Sequence, residues 1–246
     1  MSVLVTGGGS GIGLATARAF ADHGARVVAA DISVNADQDR APLSVTNGTI
    51  SFVHLDVRSN DGISQILARM DEAFGGLDIA FNNAGVMGGF GKTVAETDDD
   101  AWVRTIEIGL QGVFSCMRAE LARMGAAGRG VIVNTSSVIG LRAGVNSAPY
   151  AAAKSGLLGL TRSAALQYAG KGVRINALCP GMVDTDFVRD MAASSPASGA
   201  APPPPIPMRR LAQPDEIAQA VLWLCSGGAS YVTGIALPVD GGWTAS

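Results

Sequence analysis

Several residue types that mark whole classes of protein are scarce in this chain. It has 18 Lys and Arg against 21 Asp and Glu, a net charge of −3, and no run of basic residues. Nucleic-acid binding depends on clustered cations that neutralise phosphates, so no nucleic-acid partner is expected. No apolar run reaches the roughly 18 residues of a membrane helix. The N-terminus lacks the pattern of an export signal. We therefore expect a cytoplasmic protein that makes no membrane contact.

Cysteine and histidine are scarce as well. The three cysteines, Cys116, Cys179 and Cys225, lie far apart among apolar neighbours, which predicts buried free thiols. The two histidines, His23 and His54, fall in predicted regular elements and are interpreted as structural. No group of metal ligands, Ser-His pair or carboxylate dyad stands out, so no metal is expected.

What the chain does have is apolar sequence in a regular rhythm. Hydrophobic residues make up 48% of its 246 residues and charged residues 16%, which suits one large α/β domain spanning 1–246. Seven continuous apolar runs predict strands buried on both faces, at Val3–Val5, Arg26–Ala30, Ser51–Asp56, Leu77–Phe81, Gly130–Asn134, Arg174–Leu178 and Ile235–Val239. Helical patterns lie between them, at Ile12–His23, Asp61–Phe74, Asp98–Met124, Pro149–Tyr168 and Asp215–Leu224. This alternation predicts a single doubly wound, Rossmann-like domain with a seven-stranded parallel sheet and helices on both faces.

A glycine-rich turn follows the first predicted strand. The stretch VTGGGSGIG at residues 5–13 places Gly7, Gly11 and Gly13 between that strand and a helix. Residues without Cβ let the backbone turn tightly and approach a ligand, and the free N–H groups of the first helical turn suit a phosphate. The spacing differs from the usual G-x-G-x-x-G of dinucleotide folds. The glycines alone therefore fit a phosphate cradle or a simple tight turn.

Asp31 favours the phosphate cradle. It ends the second predicted strand, 20 residues after Gly11. A carboxylate there can accept hydrogen bonds from ribose hydroxyls and repels a 2′-phosphate, which favours NAD over NADP. The alternative is that Asp31 only caps a loop.

The YAAAK stretch suggests acid–base chemistry. Tyr150 and Lys154 are drawn from only three tyrosines and three lysines, and they share a helix face if the segment is helical. An ammonium group beside a phenol stabilises the phenolate and lowers its pKa. Such a tyrosine can exchange a proton with a substrate hydroxyl. Alternatively, the tyrosine packs on the helix and the lysine is exposed.

One segment breaks the rhythm of strands and helices. Residues 192–207, AASSPASGAAPPPPIP, hold six prolines and no charge. They form either a mobile lid or a semi-rigid polyproline stretch. We interpret 186–209 as a substrate lid within the single domain.

These motifs together resemble the short-chain dehydrogenase/reductase family. The resemblance runs from Val3 to Trp243, and it is carried by TGGGSGIG at Thr6–Gly13, NNAG at Asn82–Gly85, Ser137, Y-x-x-x-K at Tyr150–Lys154 and PG at Pro180–Gly181. It implies an oxidoreductase that moves a hydride between NAD(H) and a secondary alcohol or ketone.

The resemblance also implies roles for individual residues. Ser137 would hydrogen-bond the reacting oxygen, Tyr150 would be the acid/base, and Lys154 would bind the nicotinamide ribose and lower the Tyr150 pKa. Asp56 and Val57 would hold the adenine. The other NAD contacts would come from the glycine turn, Asp31, the cleft and the nicotinamide pocket, namely Gly7, Ser10, Gly11, Ile12, Gly13, Asp31, Asn83, Tyr150, Lys154, Val183 and Thr185.

Assembly is a further implication of the resemblance. Family members commonly form homotetramers. The predicted helices Asp98–Met124 and Pro149–Tyr168 would form one interface, and the C-terminal strand another.

Gly109 departs from the family pattern. The family usually has an asparagine at this position, which binds a water that links the lysine to solvent. Water alone or Gln111 could bridge the gap and leave a working enzyme. Otherwise the proton relay is damaged, and the protein binds its cofactor with weak or no turnover.

The expected substrate is a neutral, fairly apolar small molecule. The Val86–Phe90 loop is small and apolar, and Met182 and Met191 could add apolar walls. Arg142 could instead anchor an acidic substrate, although a solvated surface position is the preferred interpretation. A remaining alternative is an NADP-dependent reductase of carrier-bound acyl chains.

Overall fold

One parallel sheet of seven strands forms the centre of the molecule. The computed structural model describes residues 1–35, 42–142, 147–193 and 206–245. The strands are β1 (Ser2–Thr6), β2 (Arg26–Asp31), β3 (Thr49–His54), β4 (Ile79–Asn82), β5 (Gly130–Thr135), β6 (Val173–Pro180) and β7 (Ala236–Val239). They pair in the order β3-β2-β1-β4-β5-β6-β7, and every pairing is parallel. The predicted doubly wound α/β fold is confirmed.

Both faces of the sheet are buried, which explains the continuous apolar runs. Successive side chains of a strand point to opposite faces. In β1, Leu4 packs with Leu67 on one face, whereas Val3 and Val5 pack with Phe20 on the other. A polar residue at any of these positions would be buried, so the strand sequence does not alternate.

Eight α-helices lie among the residues that the structure describes. They are α1 (Gly11–Asp22), α2 (Asn60–Phe74), α3 (Asp99–Ile106), α4 (Val113–Ala127), α5 (Val138–Leu141), α6 (Ala148–Tyr168), α7 (Asp186–Ala193) and α8 (Pro214–Cys225). Helices α1 and α8 cover one face of the sheet, and α2, α4 and α6 cover the other.

The predicted single helix Asp98–Met124 is wrong in its middle. A π-helical segment, Glu107–Gly112, separates α3 from α4. Gly112 explains part of this, because a Cβ there would lie 2.8 Å from Cγ2 of Val57. The backbone therefore comes close to the loop after β3, and the wider helical turn accommodates that approach.

The structure describes only the two ends of the predicted lid. Its first residues form helix α7, and its last described residues begin at Ile206. The polyproline run lies outside the described residues.

The scarce residue types have ordinary structural surroundings. The three cysteines are free; Cys116 and Cys179 are buried, and Cys225 is partly buried. His23 Nδ1 donates to the Ala19 carbonyl, and His54 Nδ1 donates to the Val34 carbonyl, each at 2.8 Å. Within the described ranges, no helix is both long and apolar enough to cross a membrane.

Candidate active site

The glycine turn lies where the strand order reverses, at the carboxyl ends of β1 and β4. Gly7 and Gly11 have φ of +65° and +50°, which favour glycine. Gly13 serves packing, because a Cβ there would overlap the carbonyl oxygen of Gly7. The turn therefore presents backbone instead of side chains at the start of α1. Ligands of open parallel sheets bind at such reversal points.

Asp31 braces this turn and also faces the cleft beside it. Its Oδ2 accepts from the Gly9 N–H at 3.0 Å, and its Oδ1 accepts from the N–H and hydroxyl of Ser33 at 2.9 and 2.8 Å. Its side chain also lines the cleft. Capping the loop and facing a ligand are thus compatible in this structure.

A cleft of about 400 Å³ opens along the carboxyl ends of the strands. It is lined by most of the predicted cofactor residues, namely Gly7, Ser10, Gly11, Ile12, Asp31, Asp56, Val57, Asn83, Tyr150, Lys154 and Thr185. The lining does not include Gly13, Val183 or Ser137, all of which are buried.

A chain of hydrogen bonds joins the glycine turn to Lys154. Asn83 Nδ2 donates to the Gly7 carbonyl at 3.2 Å, and Thr135 Oγ1 donates to Asn83 Oδ1 at 3.2 Å. Lys154 Nζ then donates to the Thr135 carbonyl at 2.7 Å. The two ends of the cleft are therefore held in fixed relation. Sequence reasoning missed Thr135, since no motif covers it.

Ser137, Tyr150 and Lys154 come together at one end of the cleft. Ser137 begins α5, where its Oγ accepts from the Ile139 N–H at 3.2 Å. Ser136 Oγ donates to the Lys154 carbonyl at 2.9 Å, which ties the end of β5 to α6. Tyr150 and Lys154 share a face of α6, with Nζ 5.5 Å from the centre of the phenol ring.

Burial controls the ionisation of this group. It raises the pKa of Tyr150 to about 12, against a lowering contribution from the hydrogen bond with Ser137. It lowers the pKa of Lys154 to about 8. Lys154 is not among the groups that shift the Tyr150 pKa here, so its implied effect on that pKa stays a prediction. The raised pKa of Tyr150 favours the neutral phenol over the phenolate.

The Asp56 end of the cleft contains an ion pair that the sequence did not predict. The Arg58 guanidinium meets the Asp56 carboxylate with Nη2 2.6 Å and Nε 3.0 Å from Oδ2. This hydrogen bond lowers the pKa of Asp56. Arg58 Nη1 also lies 3.8 Å from the Glu107 carboxylate. The cation of Arg58 is thus already balanced by acids.

Apolar side chains line the same cleft as Tyr150. The rings of Tyr150 and Phe187 lie 6.4 Å apart, and Val86 and Ile108 line the same cleft. Arg104 adds a positive charge to this lining. Neither Phe187 nor Arg104 belongs to a motif, so sequence reasoning did not single them out.

The other residues considered for the substrate lie elsewhere. Arg142 Nη1 donates to the Trp243 carbonyl at 2.9 Å and is absent from the cleft lining, which agrees with its surface interpretation. Met182 is absent from that lining too. The side chain of Met191 lies outside the described residues.

Gly109 lies in the π-helical segment and faces α6. A Cβ at Gly109 would be 3.5 Å from Cβ of Ala153, the residue before Lys154. Gln111 is exposed and borders a separate hollow with Arg58 and Glu107. Gln111 is therefore not placed to substitute for the missing amide.

Comparison with known proteins identifies the family. A family model described as enoyl-(acyl carrier protein) reductase matches residues 7–244. The chain belongs to the short-chain dehydrogenase/reductase family. It is 43% identical to a cis-4-hydroxycyclohexanecarboxylate dehydrogenase of Sinomonas cyclohexanicum, covering 98% of this chain and 96% of that protein. It is 38% identical to a cyclohexanol dehydrogenase of Acinetobacter sp. (strain SE19), covering 98% and 94%.

Solved structures of this short-chain dehydrogenase/reductase fold agree over the whole chain. Levodione reductase matches with a TM-score of 0.90 and 34% identity, covering 100% of this chain and 98% of that one. ElxO, solved with NADP bound, matches with a TM-score of 0.87 and 29% identity, covering 100% and 99%. The protein is thus an oxidoreductase of a family that binds a nicotinamide cofactor.

The residues of this short-chain dehydrogenase/reductase fit such a cofactor. The turn at Gly7–Gly13 brings Gly7 and Gly11 to the cleft lining at the start of α1, where the first N–H groups of a helix suit a diphosphate. Asp31 and Asp56 supply acceptors at one end of the cleft, and Lys154 supplies a donor at the other.

Proposed function

We propose that the protein transfers a hydride between NAD(H) and a secondary alcohol or ketone carried on a ring. The observation that carries this proposal is the partly buried phenol of Tyr150, which is hydrogen-bonded with Ser137 and lies beside Lys154, in the cleft that begins at the glycine turn. The two relatives that act on cyclohexane alcohols support the ring.

Each of the three residues has a defined task in this proposal. Ser137 holds the reacting oxygen by a hydrogen bond. Tyr150 donates its phenolic proton to that oxygen during ketone reduction and takes the proton back during alcohol oxidation. Lys154 remains largely charged near neutral pH, since its pKa is about 8, and binds the nicotinamide ribose. When bound, NAD⁺ would accept the hydride from the carbinol carbon, and its ring charge would favour the Tyr150 phenolate.

The proposed cofactor contacts are those that the sequence predicts. Asp56 and Val57 bind the adenine, Asn83 lines the cleft, and Val183 and Thr185 hold the nicotinamide amide. Ser10, Gly11, Ile12 and Gly13 support the diphosphate from the first turn of α1.

We propose NAD as the preferred cofactor. The Asp31 carboxylate faces the cleft and would repel a 2′-phosphate. Arg58, the cation at that end, is balanced by Asp56 and Glu107. ElxO has NADP bound, so a comparison of the two cofactors decides this point. A preference for NADPH would favour the carrier-acyl reductase alternative.

Assembly, location and the lid complete the proposal. We propose a cytoplasmic homotetramer, supported by Phe114 on α4 and Leu166 on α6, which are large apolar side chains exposed by 40% and 86%. We propose 186–209 as a substrate lid, of which Asp186 and Phe187 line the cleft.

A second candidate function follows from Gly109. This position carries no amide next to the helix that bears Lys154. A protein with that defect would bind NAD but turn over slowly.

The proposed function is tested by removing one hydroxyl. Tyr150→Phe should lower kcat for NADH formation from cyclohexanol by about 10²- to 10⁴-fold, which is the usual contribution of a positioned acid/base. NAD affinity, measured by calorimetry, should change less than about twofold because the ring remains. The same assay of the unaltered protein with NADP tests the cofactor preference.

Tyr168→Phe is the matched control, since Tyr168 also lies on α6 but away from the cleft. An unchanged rate in Tyr150→Phe would disprove the assignment. NAD binding without turnover of any cyclic alcohol or ketone by the unaltered protein would favour the second candidate.

A further inference from the structure

Arg104 is a positive charge in the cleft without a partner. It is exposed on α3 and lines the cleft one helical turn before Ile108. Across the described part of the chain, the Arg104 side chain makes no hydrogen bond or ion pair. An exposed guanidinium is hydrated by water, so leaving it without a protein partner has little energetic cost. It can form two parallel hydrogen bonds with a planar oxyanion such as a carboxylate.

The other charges of the cleft are already engaged. Arg58 pairs with Asp56, and Lys154 donates to the Thr135 carbonyl. The Asp186 carboxylate lies 3.0 Å from Nη2 of Arg189. Among the described residues that line the cleft, Arg104 is therefore the cation that is available to bind an anion.

The contacts of α3 link Arg104 to the helix that carries Tyr150. Helix α3 packs against α6, which carries Tyr150. Both helices hold the loop after β4, because the Gly88 N–H donates to Thr105 Oγ1 at 3.0 Å and Ser147 Oγ donates to the Gly88 carbonyl at 2.6 Å. The diphosphate belongs at the start of α1, which covers the opposite face of the sheet.

The surroundings of Arg104 define the chemistry of the ligand. Val86, Ile108 and Phe187 give the same cleft apolar walls, with Tyr150 among them. A ring that packs on these walls and carries one negative group matches this combination of apolar surface and cation.

We propose that Arg104 binds a carboxylate carried by the substrate, so that the enzyme prefers cyclic secondary alcohols that are also acids. This inference rests on the proposed function and specifies its substrate class. It replaces the sequence-based expectation of a neutral substrate. It also gives Arg104 the task that was considered for Arg142.

The test compares an acidic and a neutral substrate in two variants. Arg104→Gln removes the cation, and Arg18→Gln removes an exposed cation on α1 that lies away from the cleft. For 4-hydroxycyclohexanecarboxylate with saturating NAD, Arg104→Gln should raise KM by about 10- to 100-fold, the usual effect of a lost charge-assisted hydrogen bond. For cyclohexanol it should change KM less than about twofold. Arg18→Gln should leave both unchanged.

A binding measurement keeps this inference separate from the proposed function. Calorimetry with cyclohexanecarboxylate and NAD needs no turnover, and Arg104→Gln should weaken that binding by the same factor. If the unaltered protein oxidises neither alcohol, the proposed function fails, yet the loss of carboxylate binding still supports the role of Arg104.

Three results would overturn the inference. One is an equal change for the acid and the neutral alcohol. Another is no change in carboxylate binding. The third is a loss confined to NAD affinity, which would assign the guanidinium to the diphosphate.

Discussion

Among single residues, Glu120 is a carboxyl group buried in the interior of the protein. It is fully buried on α4, where its Oε2 accepts from Asn82 Nδ2 at 3.0 Å. Glu120 Oε1 and Asn82 Oδ1 are buried acceptors without a donor from the described residues. A proton on Oε1 would turn this pair into a carboxylic acid facing an amide and would satisfy both atoms. Burial raises the pKa of Glu120 to about 7, which favours that proton.

This arrangement predicts pH-dependent stability. Because the pKa rises from 4.5 to about 7 on folding, the stabilising proton is retained below pH 4.5 and is lost as the pH rises through about 7. The free energy of unfolding should therefore fall by up to about 3 kcal/mol between pH 4.5 and 8 relative to Glu120→Gln. The glutamine amide both donates and accepts, so that variant has no proton to lose.

Urea unfolding at pH 5 and pH 8 measures this difference. Glu72→Gln on α2 is the control, because Glu72 is exposed. If the difference in free energy of unfolding between the unaltered protein and Glu120→Gln is the same at both pH values, the protonated pair is contradicted.

The sequence could identify some site residues but not their partners. Tyr150 and Lys154 are visible as a pair because a helix brings residues four apart to one face. Thr135 lines the same cleft from the end of a strand, and Arg104 from another helix. No spacing of residues in the sequence predicts that these two side chains lie there. The buried pair of Asn82 and Glu120, 38 residues apart, is equally hidden in the sequence.

Among elements, the segment Glu107–Gly112 shows most clearly how the observed secondary structure differs from the predicted one. Its pattern continues that of the neighbouring helices, so one helix was predicted. The segment approaches Val57 at Gly112, a contact across the fold that the local sequence pattern does not show. Strands were predicted better, because burial on both faces leaves a local signal in the sequence. Strand β3 still ends two residues before the predicted Asp56, which lies in the loop that reaches the cleft.

The same segment gives a prediction for activity. A Cβ at Gly109 meets only Ala153 Cβ, at ordinary contact distance, so the backbone there has room for the first atom of a side chain. Gly109→Asn should raise kcat by about two- to tenfold if a water held by the amide completes the path from Lys154 to solvent. NAD affinity should not change.

Gly159→Asn on α6 controls for the general effect of replacing a helical glycine, since a Cβ at Gly159 has open space. An unchanged kcat in a stably folded Gly109→Asn variant, checked by its Tm, would mean that water alone completes the path.

At the scale of the whole molecule, helices α4 and α6 predict how copies assemble. The unaltered protein should have a mass of about 100 kDa in light scattering, four copies of its 25.0 kDa chain. Leu166→Glu places a charge at the most exposed leucine of α6 and should shift the mass toward dimer or monomer. Gln167→Glu adds the same charge at the next residue, which is also exposed, and should leave the mass unchanged. A single-chain mass for the unaltered protein would contradict the tetramer.

The separation of the two ends of the cleft has a practical consequence. The glycine turn, Asp31 and Asp56 come from the first half of the chain, and Phe187 comes from α7, which lies between β6 and β7. New selectivity can therefore be sought by grafting or randomising the segment from Asp186 to Arg209 alone, which leaves the proposed nicotinamide contacts Val183 and Thr185 in place. A library of such chimaeras would keep one nucleotide platform and vary only the surface that meets the alcohol.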